Sequence, residues 1–489
     1  MVTPLASGLL ALALLSLLPG LLVVRSPWTA VPALSFAFWA LSAWWPPLAG
    51  RGRGRVLVAA VLVFGLLALL RLLPKHEVAP PPGWRPPEAP PPPARPGLPP
   101  PRATSGPSLL AVAVALALLV PLPLWHHAPS PRLAFQTTIA RLLLWRDGIP
   151  ITAEPLLPLG PVGAHAPALA TLAADVSRLS GLDPAPSLLL VVVAAAGLVL
   201  IGLFALHATW APPRVAALGA VVGLAAAPWP EALSPWGEGE GLLALAFARP
   251  AVALLIGHAS RSSALSAGML LAAATLAQPL LAAAMLLAAA VRLGRRGSAG
   301  RLVLTFAFAV PLAAPGLWPL AQSLSLREVV VLARAVRPNE VLALAVGLAL
   351  VASAPFALAR LAEPRSRAGR LAAAGLAVVG AGLLVARVHG WIAAGQLPSS
   401  TREALARATA ETNPLDALCA PEGALPWVPA LAGRRPGDPG PWIPPAYADE
   451  WAARIPRPCR ARLEEFVFRP VTTFDGRRRN RRAFRTYYP

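Results

Sequence analysis

Acidic residues are scarce in this chain. Of 489 residues only 22 are Asp or Glu, none before Glu77 and none between Glu240 and Glu328. Against them stand 43 basic residues, and Lys75 is the only lysine, so the formal excess of +21 is carried almost wholly by arginine. Charged residues make up 13% of the chain, about half the share in a soluble globular domain, and that class is thereby excluded. A Walker loop, an H-E-x-x-H zinc pattern and a G-x-S-x-G elbow are all missing, so the sequence offers no phosphate-binding P-loop, zincin or serine-hydrolase signature. No period of 20 to 50 residues marks a solenoid.

What is present is apolar: 56% of residues are hydrophobic and the mean hydropathy is +0.60. A bilayer-crossing helix needs roughly 17 to 25 apolar residues, and in lipid the helix satisfies its own backbone. Such runs lie near 5-24, 28-49, 56-73, 108-125, 187-206, 213-229, 241-258, 301-319, 340-361 and 371-392. Residues 263-291 are apolar but broken by Gln278-Pro279; they are too long for one straight span and too short for two full ones, and read as a pair of short or re-entrant helices. The predicted fold class is an all-α polytopic membrane protein of about 11 to 12 helices, with a small mixed α/β or irregular C-terminal extracytoplasmic domain. The first run lacks a basic n-region and is followed by further spans, so it reads as retained rather than as a cleaved signal peptide.

Four segments follow: an N-terminal three-helix segment over 1-73, a Pro-rich cytoplasmic linker over 74-107, a membrane core over 108-392 with an outer loop at 126-186, and an extracytoplasmic region over 393-489. Arginine in the short loops orients the chain with its N-terminus outside. The inner loops then collect Arg25, Arg214, Arg261, the cluster Arg292, Arg295, Arg296 and Arg301, and the cluster Arg360, Arg365, Arg367 and Arg370. Arg51, Arg53 and Arg55 are the exception, placed outside. The parity depends on 263-291 crossing twice. Under this topology every acid but Glu77, Glu88 and Glu363 faces outward. The linker, with its run Pro90 to Pro93, suits a polyproline spacer or a docking segment for a proline-reading partner.

Candidate chemistry gathers on the outer side. Asp147, in the turn Arg146-Asp-Gly-Ile-Pro150, is either a backbone-capping turn residue or an acid, and Glu154 before Pro155 has no evident capping role. His126 and His127 sit at a span end, and His165 introduces a second amphipathic stretch. Arg249 lies within an apolar span, where arginine usually faces a cavity or partner and can grip phosphate in bidentate fashion. Glu238 and Glu240, two apart among glycines, could hold a divalent cation through oxygen or be a solvated loop. Cys419 and Cys459, the only cysteines, both fall in the region assigned outside, which fits a disulfide or two separate thiols. The basic tail after Asp475 suits phospholipid headgroups or surface polymers rather than nucleic acid.

The order Ile139-Ala-Arg-Leu-Leu-Leu-Trp-Arg-Asp-Gly-Ile-Pro150, then Glu154-Pro155, then Gly163-Ala-His165 resembles the first outer loop of GT-C-type membrane glycosyltransferases. Ser266-Ala-Gly-Met with Gln278-Pro279 resembles the paired short helices of that group. Asn413-Pro-Leu-Asp-Ala-Leu-Cys419 with Trp427-Val-Pro-Ala-Leu-Ala-Gly-Arg434 is similar to the outer tail of its bacterial members. The resemblance implies a multi-pass protein of the bacterial plasma membrane that transfers a sugar from a polyprenyl-phosphate donor to an envelope acceptor. Its partners are the bilayer, the lipid-linked sugar and envelope-assembly proteins, with a divalent cation as an optional cofactor. It makes Glu154 and Asp147 the candidate catalytic acids, and Arg141, Arg146, His165, Arg249, Trp427 and Arg434 the candidate substrate-binding residues. The stretch from Trp125 to Gln136, where the group usually carries its acid, has no Asp or Glu. A non-catalytic scaffold or lipid-binding subunit of the same architecture is the alternative.

Overall fold

The computed structural model describes residues 2–22, 28–44, 52–72, 131–148, 156–157, 168–209, 211–226, 238–257, 260–278, 281–282, 286, 299–323, 397–413, 416–437 and 461–466, with single residues between 371 and 386. The runs at 108-125 and 340-361 lie outside the described residues, as do the linker 74-107 and most of 371-392.

In chain order the helices are α1 (Val2–Leu17), α2 (Val31–Ser42), α3 (Arg53–Leu72), α4 (Pro131–Arg146), α5 (Ala168–Ser180), α6 (Pro184–Ala208), α7 (Pro213–Ala226), α8 (Glu238–Gly257), α9 (Arg261–Ala277), α10 (Ala299–Ser323) and α11 (Ser399–Glu411). Among the described residues four, α3, α6, α8 and α10, are long and apolar enough to cross a membrane, and α1 and α2 are shorter apolar helices. Local chemistry sets the ends. Asp183 caps α6 by accepting from Ala185 N at 3.1 Å, with Pro184 in the first turn, where its missing N–H costs nothing. Ser260 caps α9 by accepting from Ser263 N at 3.1 Å. At the other end of α9, Gln278 turns extended (φ −158°, ψ 99°) because Pro279 follows, so the expected break falls there.

Residue contacts give the directions of the helices. Gly239 abuts Val192, Gly202 abuts Arg249 and Pro250, and Gly257 abuts Thr209, so α6 and α8 run parallel. Thr305 Oγ1 donates to Ala264 O at 3.2 Å, Gly268 meets Phe308, and Gly316 meets Leu276. Those contacts make α9 and α10 parallel as well. Most of the second half of 263-291, after the Gln278-Pro279 break, lies outside the described residues.

α4 and α5 gather on one face, called here the loop face. Ser7 Oγ donates to Ser180 O at 3.1 Å, putting the start of α1 there, and Arg53 N donates to Asp147 O at 2.8 Å, putting the start of α3 there. The amphipathic stretch of α5 is enclosed: Ala168 through Ser177 are all buried, because α1, α2, α4 and α6 surround it. Its alanines let those neighbours approach.

The described part of the tail is α11 with a three-stranded parallel sheet in the order β2-β1-β3, where β1 is Ala417–Cys419, β2 Arg435–Pro436 and β3 Ala461–Arg462. A π-helical turn, Val428–Ala432, joins β1 to β2 and packs on α4. Gly433 follows with φ +60°, and a side chain there would press on the Trp145 ring and on Arg141 Cδ.

Candidate functional site

The outer-loop residues divide into those held in structure and those left with spare capacity. Asp147 closes α4 in the left-handed region (φ 52°), a conformation Asp tolerates. Its Oδ1 accepts from Gly54 N at 2.8 Å, so it caps α3 from another segment, and it pairs with Arg178 Nη2 at 2.6 Å. Arg178 also donates to Leu143 O at 3.0 Å. Burial lowers the pKa of Arg178, with the Asp147 charge opposing that shift.

Beneath it lies a buried ion pair that the sequence did not announce. Arg53 forks onto Asp175, its Nε donating to Oδ1 at 2.9 Å and its Nη2 to Oδ2, while Nη2 also donates to Trp39 O at 2.8 Å. The two side chains are 3% and 0% exposed. Arg53, the exception to the charge rule, is thus a buried strut between α3 and the outer loop.

The expected substrate-binding arginines of the loop and tail form a second strut. Arg141 Nη2 bonds Asp183 Oδ2 at 2.9 Å and Ala430 O at 3.0 Å, which pins the π-turn to α4. Arg434 is buried, and its donors meet Thr412 Oγ1 at 2.7 Å, Thr409 O at 2.6 Å, Ala432 O at 3.2 Å and Gly433 O at 3.1 Å. Burial, then the nearby Arg141 charge, lowers the Arg434 pKa to about 10, with Asp416 opposing. Trp427 is a core residue of the tail, 1% exposed and packed in one cluster with Ala134 and Leu405. Arg146 is exposed in the last turn of α4.

A pattern links these contacts. Apart from those of the π-turn and Gly433, the carbonyls that receive arginine among the described residues, at Trp39, Leu143, Leu255, Thr409 and Thr412, lie in or beside the last turns of α2, α4, α8 and α11. Helix C-termini leave carbonyls unsatisfied and carry partial negative charge. In a chain with few carboxylates, they serve as the counter-charge.

The spare capacity lies between α4 and α8. Gln136 Nε2 donates to Glu240 Oε1 at 2.5 Å, and both side chains are buried, Glu240 at 4% exposure. Gln136 Oε1 is buried with no hydrogen-bond partner among the described residues. Glu240 stands in the first turn of α8, whose N-terminal glycine packs under Leu133 of α4 and Leu169 of α5. A buried carboxylate there profits from the helix dipole and from Gln136. The side chain of Glu238 lies outside the described residues. Among the described residues no group of three or more His, Cys, Asp and Glu could hold a metal ion.

Arg249 is 2% exposed, and its Nη1 is buried with no hydrogen-bond partner among the described residues. It does not join Glu240. Nine residues of α-helix separate the two by about 13.5 Å and about half a turn in direction, so they face opposite sides of α8. Glu154, His165, His126, His127 and Cys459 lie outside the described residues. Cys419 ends β1, opposite Arg462 of β3.

Sequence reasoning passed over Asp175, Asp183, Arg178 and Gln136. The Asp183-Pro184 pair was a legible cap signature, whereas a lone Asp or Gln on an Ala-rich helix carries no local signal. No family model matches the chain, and comparisons with curated proteins and with solved structures find no match.

Proposed function

We propose that this chain is an integral membrane glycosyltransferase that moves a sugar from a polyprenyl-phosphate donor to an envelope acceptor on the loop face. The observation that carries the reading is the Gln136–Glu240 pair, a buried carboxylate and an open amide oxygen beneath α4 and α5. Transfer to a hydroxyl needs a base at the attacking oxygen. Glu240 takes the hydroxyl proton, the oxygen bonds to the anomeric carbon, and the bond from that carbon to the phosphate oxygen breaks, leaving the lipid phosphate with the electron pair. Gln136 Oε1 accepts from a second hydroxyl and orients the sugar. Glu240 thereby supplies the acid that the stretch from Trp125 to Gln136 lacks.

The finer topology belongs to the same proposal: about 11 to 12 membrane helices in a bacterial plasma membrane, with the loop face and the tail extracytoplasmic and Cys419 joined to Cys459. The test is sugar release by the purified full chain from a panel of polyprenyl-phosphate donors. Glu240→Gln should lower kcat by about 10²-fold or more, and Glu154→Gln serves as the companion variant. Turnover by Glu240→Gln equal to that of the parent removes Glu240 from the mechanism. Chelation in the same assay reads any need for a divalent cation.

A second reading has an observation of its own. Asp147, Arg141, Arg434 and Trp427 are all engaged in packing and struts, which favours a non-catalytic scaffold that keeps the architecture. No release from any donor, with the fold intact, selects it.

A further inference from the structure

Arg249 departs from the pattern set by the arginines of the two struts and by Arg178. Arg53, Arg141, Arg178 and Arg434 each meet a carboxylate or a helix-end carbonyl. Arg249 is buried at 2% exposure and among the described residues meets neither, and its Nη1 has no acceptor there. Among the described helices around it, α1, α2, α6, α7, α9 and α10 contain no Asp or Glu, and the acids of α8 are confined to its first turn. An isolated buried cation is costly enough that arginine in a membrane helix ordinarily faces a cavity, a partner or a ligand.

The backbone around it is shaped to admit this side chain. A side chain at Gly202 of α6 would come within 2.8 Å of Pro250 Cδ and 3.1 Å of Arg249 Cβ, so only glycine lets α6 and α8 close over the arginine stem. Arg249 stands eight residues before Gly257, about 12 Å from the end of α8 away from the loop face. That depth and the opposite helix face separate it from the Gln136–Glu240 pair.

We infer that Arg249 is the core of a second, phosphate-binding site between α6 and α8, distinct from the carboxylate site beneath α4 and α5. The guanidinium fork matches a phosphate group in bidentate geometry, whether the group is a lipid headgroup or free phosphate. The bound anion supplies the counter-charge that the chain withholds. This inference does not depend on sugar transfer, because the probes carry no sugar.

The test measures thermal melting of the delipidated full chain in a neutral detergent, with inorganic phosphate, dioctanoyl phosphatidic acid, or uncharged dioctanoylglycerol as control. The expected result is a rise in Tm with a phosphate-bearing probe and none with the control. A rise with phosphatidic acid alone assigns a headgroup site, and a rise with both probes assigns a phosphate site open to the free ion. Arg249→Met should abolish the rise, with affinity weakened at least about 30-fold, while its ligand-free form melts no lower than the parent because an unpaired buried charge is gone. Arg249→Lys keeps the charge without the fork and should show a weakened rise, which covers the case of a poorly folding Met variant. Glu240→Gln should leave the rise intact. The inference is overturned if no phosphate-bearing probe raises Tm, if Arg249→Met retains the full rise, or if Glu240→Gln abolishes it.

Discussion

The sharpest quantitative consequence concerns the Arg53–Asp175 strut. Its two side chains are 3% and 0% exposed, and its fork leaves one further bond to the Trp39 carbonyl. Asp175→Asn keeps the volume and removes the charge, leaving the guanidinium buried and uncompensated. Breaking a buried pair in this way costs about 3–5 kcal/mol. Arg53→Met removes the cation and strands Asp175, so it should cost a similar amount, with part of the loss recovered by packing of the Met side chain. The double variant Arg53→Met with Asp175→Leu removes both desolvation penalties and should lie within about 1–2 kcal/mol of the parent, on either side of it.

The assay is reversible unfolding of the full chain in mixed micelles titrated with dodecyl sulfate, read by circular dichroism. The four proteins close a double-mutant cycle. Strong coupling is the signature: the double variant should be more stable than either single one. A cost below about 1 kcal/mol for Asp175→Asn would be the value of an exposed surface pair, and it would refute the buried geometry together with the placement of α3 against the outer loop.

Further consequences are more local. Arg141→Ala strands the buried Ala430 carbonyl and leaves the partly exposed Asp183 with its cap bond alone; at about 1–3 kcal/mol for an unsatisfied buried group, it should loosen the tail on α4 and speed proteolysis within 399-437 without unfolding the membrane helices. Gly202→Ala drives a methyl against Pro250 and Arg249 and should cost about 1–3 kcal/mol through overpacking, measured in the same micelle titration. β3 begins two residues after Cys459 and pairs with β1, whose last residue is Cys419; non-reducing peptide mapping should recover the two cysteines in one cross-linked peptide, and separate peptides would remove the disulfide from the proposal. Cysteines placed at the exposed positions Arg146 and Glu403, in a background lacking Cys419 and Cys459, should react with an impermeant reagent from the same side of the membrane, whereas one at Gly257 should not.

The helical membrane architecture was legible because span length and backbone satisfaction act locally: α3, α6, α8 and α10 each overlap most of an expected run and begin two or three residues before it. The Gln278-Pro279 break was legible for the same reason, as a steric property of one dipeptide. The site was less so. Asp147 was readable as a turn residue, but its partner Gly54 lies 93 residues away, and nothing near Asp147 names it. The Gln136–Glu240 bond spans 104 positions and Arg53–Asp175 spans 122. Such pairs are decided by which helices abut, and a Gln or Asp among alanines has the same local appearance whether or not a partner waits across the bundle.

The shortage of acids has a structural consequence beyond orientation. A buried arginine needs an acceptor, and with 22 acids for 43 bases carboxylates cannot supply them all. The fold answers by aiming arginines at helix ends: Arg53 at Trp39 O, Arg178 at Leu143 O, Arg301 at Leu255 O and Arg434 at Thr409 O. Each such contact satisfies two groups that lipid or a dry core would otherwise penalise, the cation and the terminal carbonyl. It also holds the end of one helix to another element, so the arginines act as cross-links whose positions depend on where helices stop. Arginine is suited to this use and lysine is not, because five donors on a planar fork can reach two or three carbonyls at once. Arg249 meets no helix end among the described residues, and on the proposal above a phosphate group takes that place.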